Sequence, residues 1–289
     1  MTSRLIACAL LSVSPFYLNS CGSDSELPIM AGNTQAAANE GEELYKVAKQ
    51  ADDSGKTDKA IKLYDKTATR FPFAPSAPQA RFRQAQLLEQ RGEILESFEA
   101  YDQFLSRFQG SSLYSTALNR QASMAQAAAD GDIKSNLLGL KTKLSLEKTV
   151  KMLEKLRANA PQSAIASKAQ FTIGKLNEGS KKSKEAIAAY RQLVRDQPGS
   201  QEAPEALFRI GVILTAEADR GNQSQGNLDL AKEAFNDYLI QYPGHSRNAE
   251  ARKLVSNLGG RDLQRSSILR NFIKKQERQN LPKFTTETS

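Results

Sequence analysis

Cysteine and histidine are the side chains through which a sequence most readily does chemistry, and this one has only Cys8, Cys21 and His245. A nucleophilic thiol needs a neighbouring base, and a structural metal site needs about four ligands at close spacing. His245 follows Pro243-Gly244, which reads as a turn, and it stands 224 residues beyond Cys21. The sequence has no tryptophan, no Gly-rich phosphate loop, no His-Glu-x-x-His and no nucleophile elbow. Its 32 Asp and Glu residues are scattered at helical-surface spacing, the pattern of solvated faces. These residues predict no catalysis, no metal, no cofactor and no small-molecule substrate.

The remaining chemistry belongs to the place where Cys21 stands. Arg4, the apolar run Leu5 to Val13 and then Leu18-Asn19-Ser20-Cys21-Gly22 read as an export signal. The run is shorter than the roughly 20 residues a membrane-spanning helix needs. Cys8 would leave with that signal, so no partner would remain for a disulfide. The tetrad ending at Cys21 is similar to the lipobox of bacterial lipoproteins; Leu18 and Ser20 match it well, whereas Asn19 is a less usual choice. That resemblance implies a signal peptide over 1–20 and a mature chain beginning at Cys21. It also implies a diacylglyceryl group and an N-acyl chain such as palmitate on the cysteine. Each buried methylene contributes about 0.8 kcal/mol, and more than one chain makes anchoring stable. Gly22 in place of aspartate favours the outer membrane, on its periplasmic face. The competing reading is a plain secretory signal with an incidental cysteine. From Ser23 to Gly41 the composition turns to Ser, Asp, Gly, Asn and Ala, which predicts a flexible tether over 21–41 with a reach of roughly 25 Å.

What such an anchor would hold is written in a repeat. Small residues recur at Ala60, Ser97, Thr149, Ala186 and Ala231, and four positions on come Tyr64, Tyr101, Leu153, Tyr190 and Phe235. Pro72, Gln109, Pro161, Pro198 and Pro243 follow eight positions later, then Ala80, Ala117, Ala169, Ala206 and Ala251. A last set, Ala85, Ala122, Gly174, Gly211 and Ser256, lies five residues further. The steps from Tyr64 to Tyr101 and from Leu153 to Tyr190 are both 37 residues; the other two are 52 and 45, so whole loops are inserted without disturbing the register.

Small residues at one level of a helix let two helices approach, and the ring one turn on fills the space beside the contact. Proline ends the second helix of each unit, and the Gly or Ser beyond it supplies a turn and an N-cap. Each unit is therefore a helix pair that buries its apolar face only by stacking on its neighbours. The pattern resembles the tetratricopeptide repeat in a long form. The expected fold class is all-α: a right-handed α-solenoid of about five helix pairs over 42–258, plus a C-terminal helix. Units two and three depart from the pattern at Ser97, Gln109, Thr149 and Leu153.

The expected helices are Glu42–Ser54 with Thr57–Phe71, Ser76–Arg91 with Ile94–Phe108, and Ser112–Ala129 with Ser145–Ala160. Ser163–Asn177 with Ser183–Asp196 and Gln201–Asp219 with Asn227–Tyr242 follow, and Ser246–Leu258 closes the array. Gly55 and Gly92 sit at tight hairpin turns. The insertion Asp130 to Leu144 is apolar enough to fold back on the solenoid or to meet a partner; Gly221 to Asn227 reads as a solvent loop.

Repeat arrays bind along the face lined by the first helix of each unit. Counting from the small anchors puts Tyr45, Lys49, Asp52, Gln79, Phe82, Gln86 and Glu89 there, with Phe171 and Phe208 at equivalent places. Tyr45 and Phe82 read equally as anchors for an extended peptide or as packing rings, and Phe171 and Phe208 read as packing.

The net charge of +8 is concentrated at the C-terminal end. Between Arg261 and Lys283 seven basic residues face only Asp262 and Glu277. Leu263, Ile268, Leu269, Phe272 and Ile273 supply an apolar stripe, so 259–289 is expected to be a basic amphipathic helix followed by a disordered tail. Arg265, Arg270, Lys274 and Lys275 are its candidate docking residues. The helix would cap the last repeat, lie on an anionic membrane or dock on a partner. Nucleic acid is not an expected partner, because no recognition motif is present.

Cys21 with its lipobox, the tether and the opening repeats resemble the BamD family, the tetratricopeptide lipoproteins of outer-membrane β-barrel assembly. Glu43-Leu44-Tyr45, Ala60 to Tyr64, Arg70-Phe71-Pro72 and Phe98 to Leu105 carry the likeness. It implies an N-terminal groove that receives unfolded outer-membrane proteins and a C-terminal part that docks on the barrel-forming core subunit. The insertions and the basic tail depart from that family. Two alternatives stand beside it: a periplasmic coordination protein of the CpoB type, and a repeat scaffold of another envelope complex such as polysaccharide export.

Overall fold

The computed structural model describes residues 34–137, 140–221 and 224–279; the Cys21 lipobox, most of the expected tether and the last ten residues lie outside them. Five helix pairs follow one another: α1 (Thr34–Asp53) with α2 (Thr57–Arg70), α3 (Ala77–Gln90) with α4 (Ile94–Arg107), and α5 (Tyr114–Asp130) with α6 (Leu146–Asn159). Then come α7 (Ala164–Gly179) with α8 (Ser183–Asp196), α9 (Ala203–Asp219) with α10 (Ser224–Gln241), and the long helix α11 (Asn248–Gln279). Each helix packs chiefly on its neighbours in sequence, which makes the array a solenoid of helix pairs.

The small and large residues of the repeat are what hold each pair. Ala60, Ser97, Ala186 and Ala231 have no exposed surface, and Tyr101, Tyr190 and Phe235 are equally enclosed. A Cβ on Gly211 would stand 2.7 Å from the Phe235 ring, and one on Gly174 would fall against Tyr190. Hydrogen in place of a side chain lets these helices approach while the ring stays in its rotamer. Each fully buried ring is worth about 1.5–3 kcal/mol by transfer from water.

Local chemistry sets the ends. Phe71, Phe108 and Gln197 each donate a backbone N–H to the carbonyl four residues back at the close of α2, α4 and α8. The same turn forms before Gln109 as before Pro72 and Pro198. Ser145 and Ser163 cap α6 and α7, their side chains accepting from the N–H groups of Lys148 and Ala166. Gly55 and Gly92 take φ of +71° and +77° in the hairpin turns.

Three regions differ from expectation. α1 begins at Thr34, eight residues ahead of Glu42, so 34–41 is helix and not tether. The run Ala36-Ala37-Ala38 has the highest helix propensity available, and Gly41 lies against Phe71 and Ala74. Glu42 then accepts a 2.7 Å hydrogen bond from the Ser76 N–H at the start of α3.

The insertion between α5 and α6 is an antiparallel hairpin, β1 (Lys134–Leu137) with β2 (Leu140–Lys143), in which Lys134 faces Lys143 and Leu137 faces Leu140. Its base folds back: Leu144 is buried in the central core, with Ile133 packed against the same cluster.

The two expected C-terminal helices are one. α11 runs through Gly259-Gly260 without a break. Among its described side chains Leu258 is the last buried one, and Arg261 pairs with Asp219 at 2.6 Å. Beyond that point Leu263, Ile268, Leu269, Phe272 and Ile273 are 48–76% exposed. At 3.6 residues per turn the last four share one face and Leu263 lies across the helix from it, so the stripe is narrower than expected. Among the described residues no helix is long and apolar enough to cross a membrane.

Candidate protein-binding groove

The first helices of the pairs, α1, α3, α5, α7 and α9, line one side of the array, and a ladder of charged hydrogen bonds runs along it. In the first unit Asp52 accepts from the Tyr64 hydroxyl at 3.3 Å and from Arg83 of the next unit at 2.7 and 3.1 Å. In the second, Glu89 accepts from Tyr101 at 3.3 Å and from Arg120 at 3.1 Å. In the fourth, Glu178 accepts from Tyr190 and from Arg209, both at 2.8 Å. Every rung has the same spacing: the carboxylate precedes its tyrosine by 12 residues and its arginine by 31. Arg209 continues to Glu205, which also takes Arg247 at 2.8 and 2.9 Å, and that guanidinium lies 3.7 Å above the Phe208 ring.

The electrostatics follow from this geometry. Arg83 holds the Asp52 carboxyl below its ordinary range, against the partial burial that would raise it. Burial, and then the facing carboxylate, hold the Tyr64, Tyr101 and Tyr190 phenols far above theirs.

The rungs stop between α5 and α7. Gln126, Leu153 and Thr172 occupy the positions of carboxylate, tyrosine and arginine, and all three line a cavity of about 660 Å3. Leu153, Leu156, Ile165 and Ala169 lie on its apolar side; Asn119, Ser123, Asp130, Asp132 and Lys168 join Gln126 and Thr172 as its polar residues. At the next break, beyond α9, Thr215 and Leu254 replace carboxylate and arginine, but the ring is retained as Phe235, fully buried.

The residues expected to form the groove separate. Lys49 and Gln79 are exposed, with Lys49 paired to Asp53 at 3.1 Å. Asp52 and Glu89 are rungs of the ladder, and Gln86 accepts from Arg83 at 3.3 Å. Tyr45 is half-buried, its ring 5.7 Å from Tyr64. Phe82 is corrected: it is 7% exposed and meets Tyr101 and Phe104 edge-on at 5.6 and 5.7 Å, which leaves it no face for a ligand. Its place on α3 directs it at α4. Phe171 and Phe208 pack as expected, against Tyr190 and against Phe235 with Tyr238. Sequence reasoning missed Arg83, Arg120, Glu178 and Arg209. The signal was there, an acid 12 before and an arginine 19 after each repeat tyrosine, but it appears only once the tyrosines are aligned.

On α11 Arg270, Lys274 and Lys275 are exposed; the helix includes Arg265, whose side chain is not described. His245 sits in the turn before α11, its Nδ1 2.6 Å from the Tyr238 hydroxyl. Among the described residues no three His, Cys, Asp or Glu side chains are grouped to hold a metal.

Two stretches, 45–112 and 172–246, match the tetratricopeptide repeat model. They contain the ladder's three complete rungs apart from Arg120, and the gap at Gln126 and Leu153 falls between them. Solved structures similar to this chain include MamA from Desulfovibrio magneticus, at 13% identity over 74% of this chain and 98% of that one, with a TM-score of 0.31. YrrB, described as a tetratricopeptide protein with an unusual peptide-binding site, is 14% identical over 77% and 98%, with a TM-score of 0.33. A thermophilic tetratricopeptide protein from Thermus thermophilus is 17% identical over 78% and 98%, with a TM-score of 0.32. No curated protein matches the chain in sequence.

Proposed function

We propose that this protein is a non-catalytic scaffold on the periplasmic face of the outer membrane, anchored through lipid on Cys21, and that it serves the assembly and insertion of β-barrel outer-membrane proteins. The observation that carries the scaffold reading is the continuous face of first helices, braced by its ladder and carrying exposed polar groups such as Lys49 and Gln79. A face fixed in this way presents a groove to extended chain without reorganising. Support for the location is Leu18-Asn19-Ser20-Cys21-Gly22, and support for the assembly role is the resemblance of the opening repeats. In this reading unfolded barrel proteins enter the groove. The exposed stripe of α11, with Lys275 at its edge and Arg270 and Lys274 across the helix, docks on the barrel-assembly core subunit.

The test is a mild-detergent pulldown of the full-length protein from outer membranes, with Cys21→Ser beside it. Recovery of a barrel-assembly subunit with the lipidated form alone supports the reading. Recovery of cell-division or polysaccharide-export components instead moves the scaffold to one of those complexes.

A further inference from the structure

We propose that the gap in the ladder between α5 and α7 is a side-chain pocket for a partner, and that its ligand is an extended peptide presenting an aromatic residue next to an arginine or lysine. The inference rests on the scaffold reading above and gives that groove a specific address. At three junctions a tyrosine and an arginine of the next unit converge on one carboxylate between successive first helices. At this junction all three groups are replaced at once. Leu153 ends short of where a phenol would reach, Thr172 carries no guanidinium, and Gln126 carries no charge. The result is a cavity of about 660 Å3 lined by all three replacements, inside the range of roughly 300–1,000 Å3 common to ligand pockets.

The chemistry of the opening matches the groups that are missing. An aromatic side chain entering it would lie on Leu153 and Leu156 as the repeat rings lie on their own neighbours. Asp130 and Asp132 line the cavity with Lys168, and Lys143 lies against Gly131 between them; the two aspartates are the groups that would receive a basic neighbour on the ligand. Asp130 accepts from the neutral amide of Gln126, at 3.0 and 3.1 Å.

Fluorescence anisotropy of the full-length protein in detergent tests this with three labelled Gly/Ser peptides whose central pairs are Tyr-Arg, Tyr-Glu and Ala-Ala. The Tyr-Arg peptide should bind about tenfold or more tighter than either control. Gln126→Glu with Leu153→Tyr and Thr172→Arg rebuilds the missing rung, and should abolish that preference while helicity and melting temperature hold or rise. If the triple change lowers the melting temperature, Thr172→Arg alone is read in its place and should weaken Tyr-Arg binding by several-fold. Equal affinity for all three peptides, no binding by the wild type, or unchanged binding by the rebuilt protein overturns the pocket. Failure of the pocket is separable from failure of the assembly role, because the outer-membrane pulldown identifies the complex whether or not this junction holds a peptide.

Discussion

Arg83 reaches back 31 residues to place its Nε 2.7 Å from a carboxylate oxygen of Asp52, and so fastens the second helix pair to the first. The Asp52 side chain is 14% exposed and that of Arg83 35%, so solvent screens part of the attraction. Arg83→Met should lower stability by about 1 kcal/mol, and a cycle with Asp52→Asn should return a favourable coupling of similar or smaller size. Urea denaturation measures both. A coupling of zero at low salt would show that the rung does not brace the junction.

The three rung tyrosines predict an alkaline limit. Their phenols are held above the ordinary range in the folded protein, so the folded state keeps protons that the unfolded chain releases near pH 10. Stability from this source is fully present below pH about 10 and is lost as pH rises toward the folded-state values. The melting temperature should therefore fall above pH 10. Replacement of Tyr64, Tyr101 and Tyr190 by Phe should flatten that fall, at the cost of stability near neutrality. An identical alkaline profile in the triple variant would assign the fall to other groups.

Gly174 tests the close approach of α7 to α8. Alanine gains roughly 1 kcal/mol in helix propensity, but here its Cβ meets the fully enclosed Tyr190 ring, and overpacking of this kind costs roughly 1–3 kcal/mol. Gly174→Ala should be net destabilising, and Tyr190→Leu should relieve much of the strain. Gly179, with open space around it on the same helix, is the control, and its change to Ala should be neutral or stabilising. Thermal melts that rank the two glycines in the opposite order would refute the packing.

The solenoid was legible because its signals are periodic. Ala60 with Tyr64 and Ala186 with Tyr190 mark helix crossings that every neighbouring unit repeats, and the prolines mark where each unit ends. Non-periodic elements were harder to read. The α1 extension through Thr34 depends on Gly41 meeting Phe71 and Ala74, a contact between segments 30 residues apart in sequence. The hairpin has only four residues per strand, too few to show alternation above background. Of the residues expected in the groove, Lys49 and Gln79 are exposed on first helices, whereas Phe82 turns from the same helix α3 into the core. Tyr45 and Phe82 look alike in the sequence, and only packing distinguishes a half-covered ring from a buried one.

That distinction is measurable. Phe82→Ala removes a ring wedged between Tyr101 and Phe104, and should cost about 3–5 kcal/mol. Tyr45→Ala, made at a half-buried ring at the edge of the first unit, should cost clearly less. Comparable losses in the two variants would mean that Tyr45 is as much a core residue as Phe82.

The C-terminal helix offers the opposite case, apolar side chains whose loss should leave the fold untouched. Ile268, Leu269, Phe272 and Ile273 share one face of α11 and remain 48–63% exposed, beyond the last anchoring pair of Arg261 with Asp219. Exposed residues of this kind bury little area in the folded chain, so Ile268→Ser with Phe272→Ser should move the melting temperature by no more than about 2 °C. The stripe supplies the apolar contact, and Lys274 and Lys275 steer more than they bind. The serine variant should therefore abolish recovery of the partner complex in the pulldown. Reversal of charge at Lys274 and Lys275 should weaken recovery mainly at low salt. A melting temperature that drops sharply in the serine variant would show instead that α11 folds back on the last repeat, and undiminished recovery would place docking elsewhere on the solenoid.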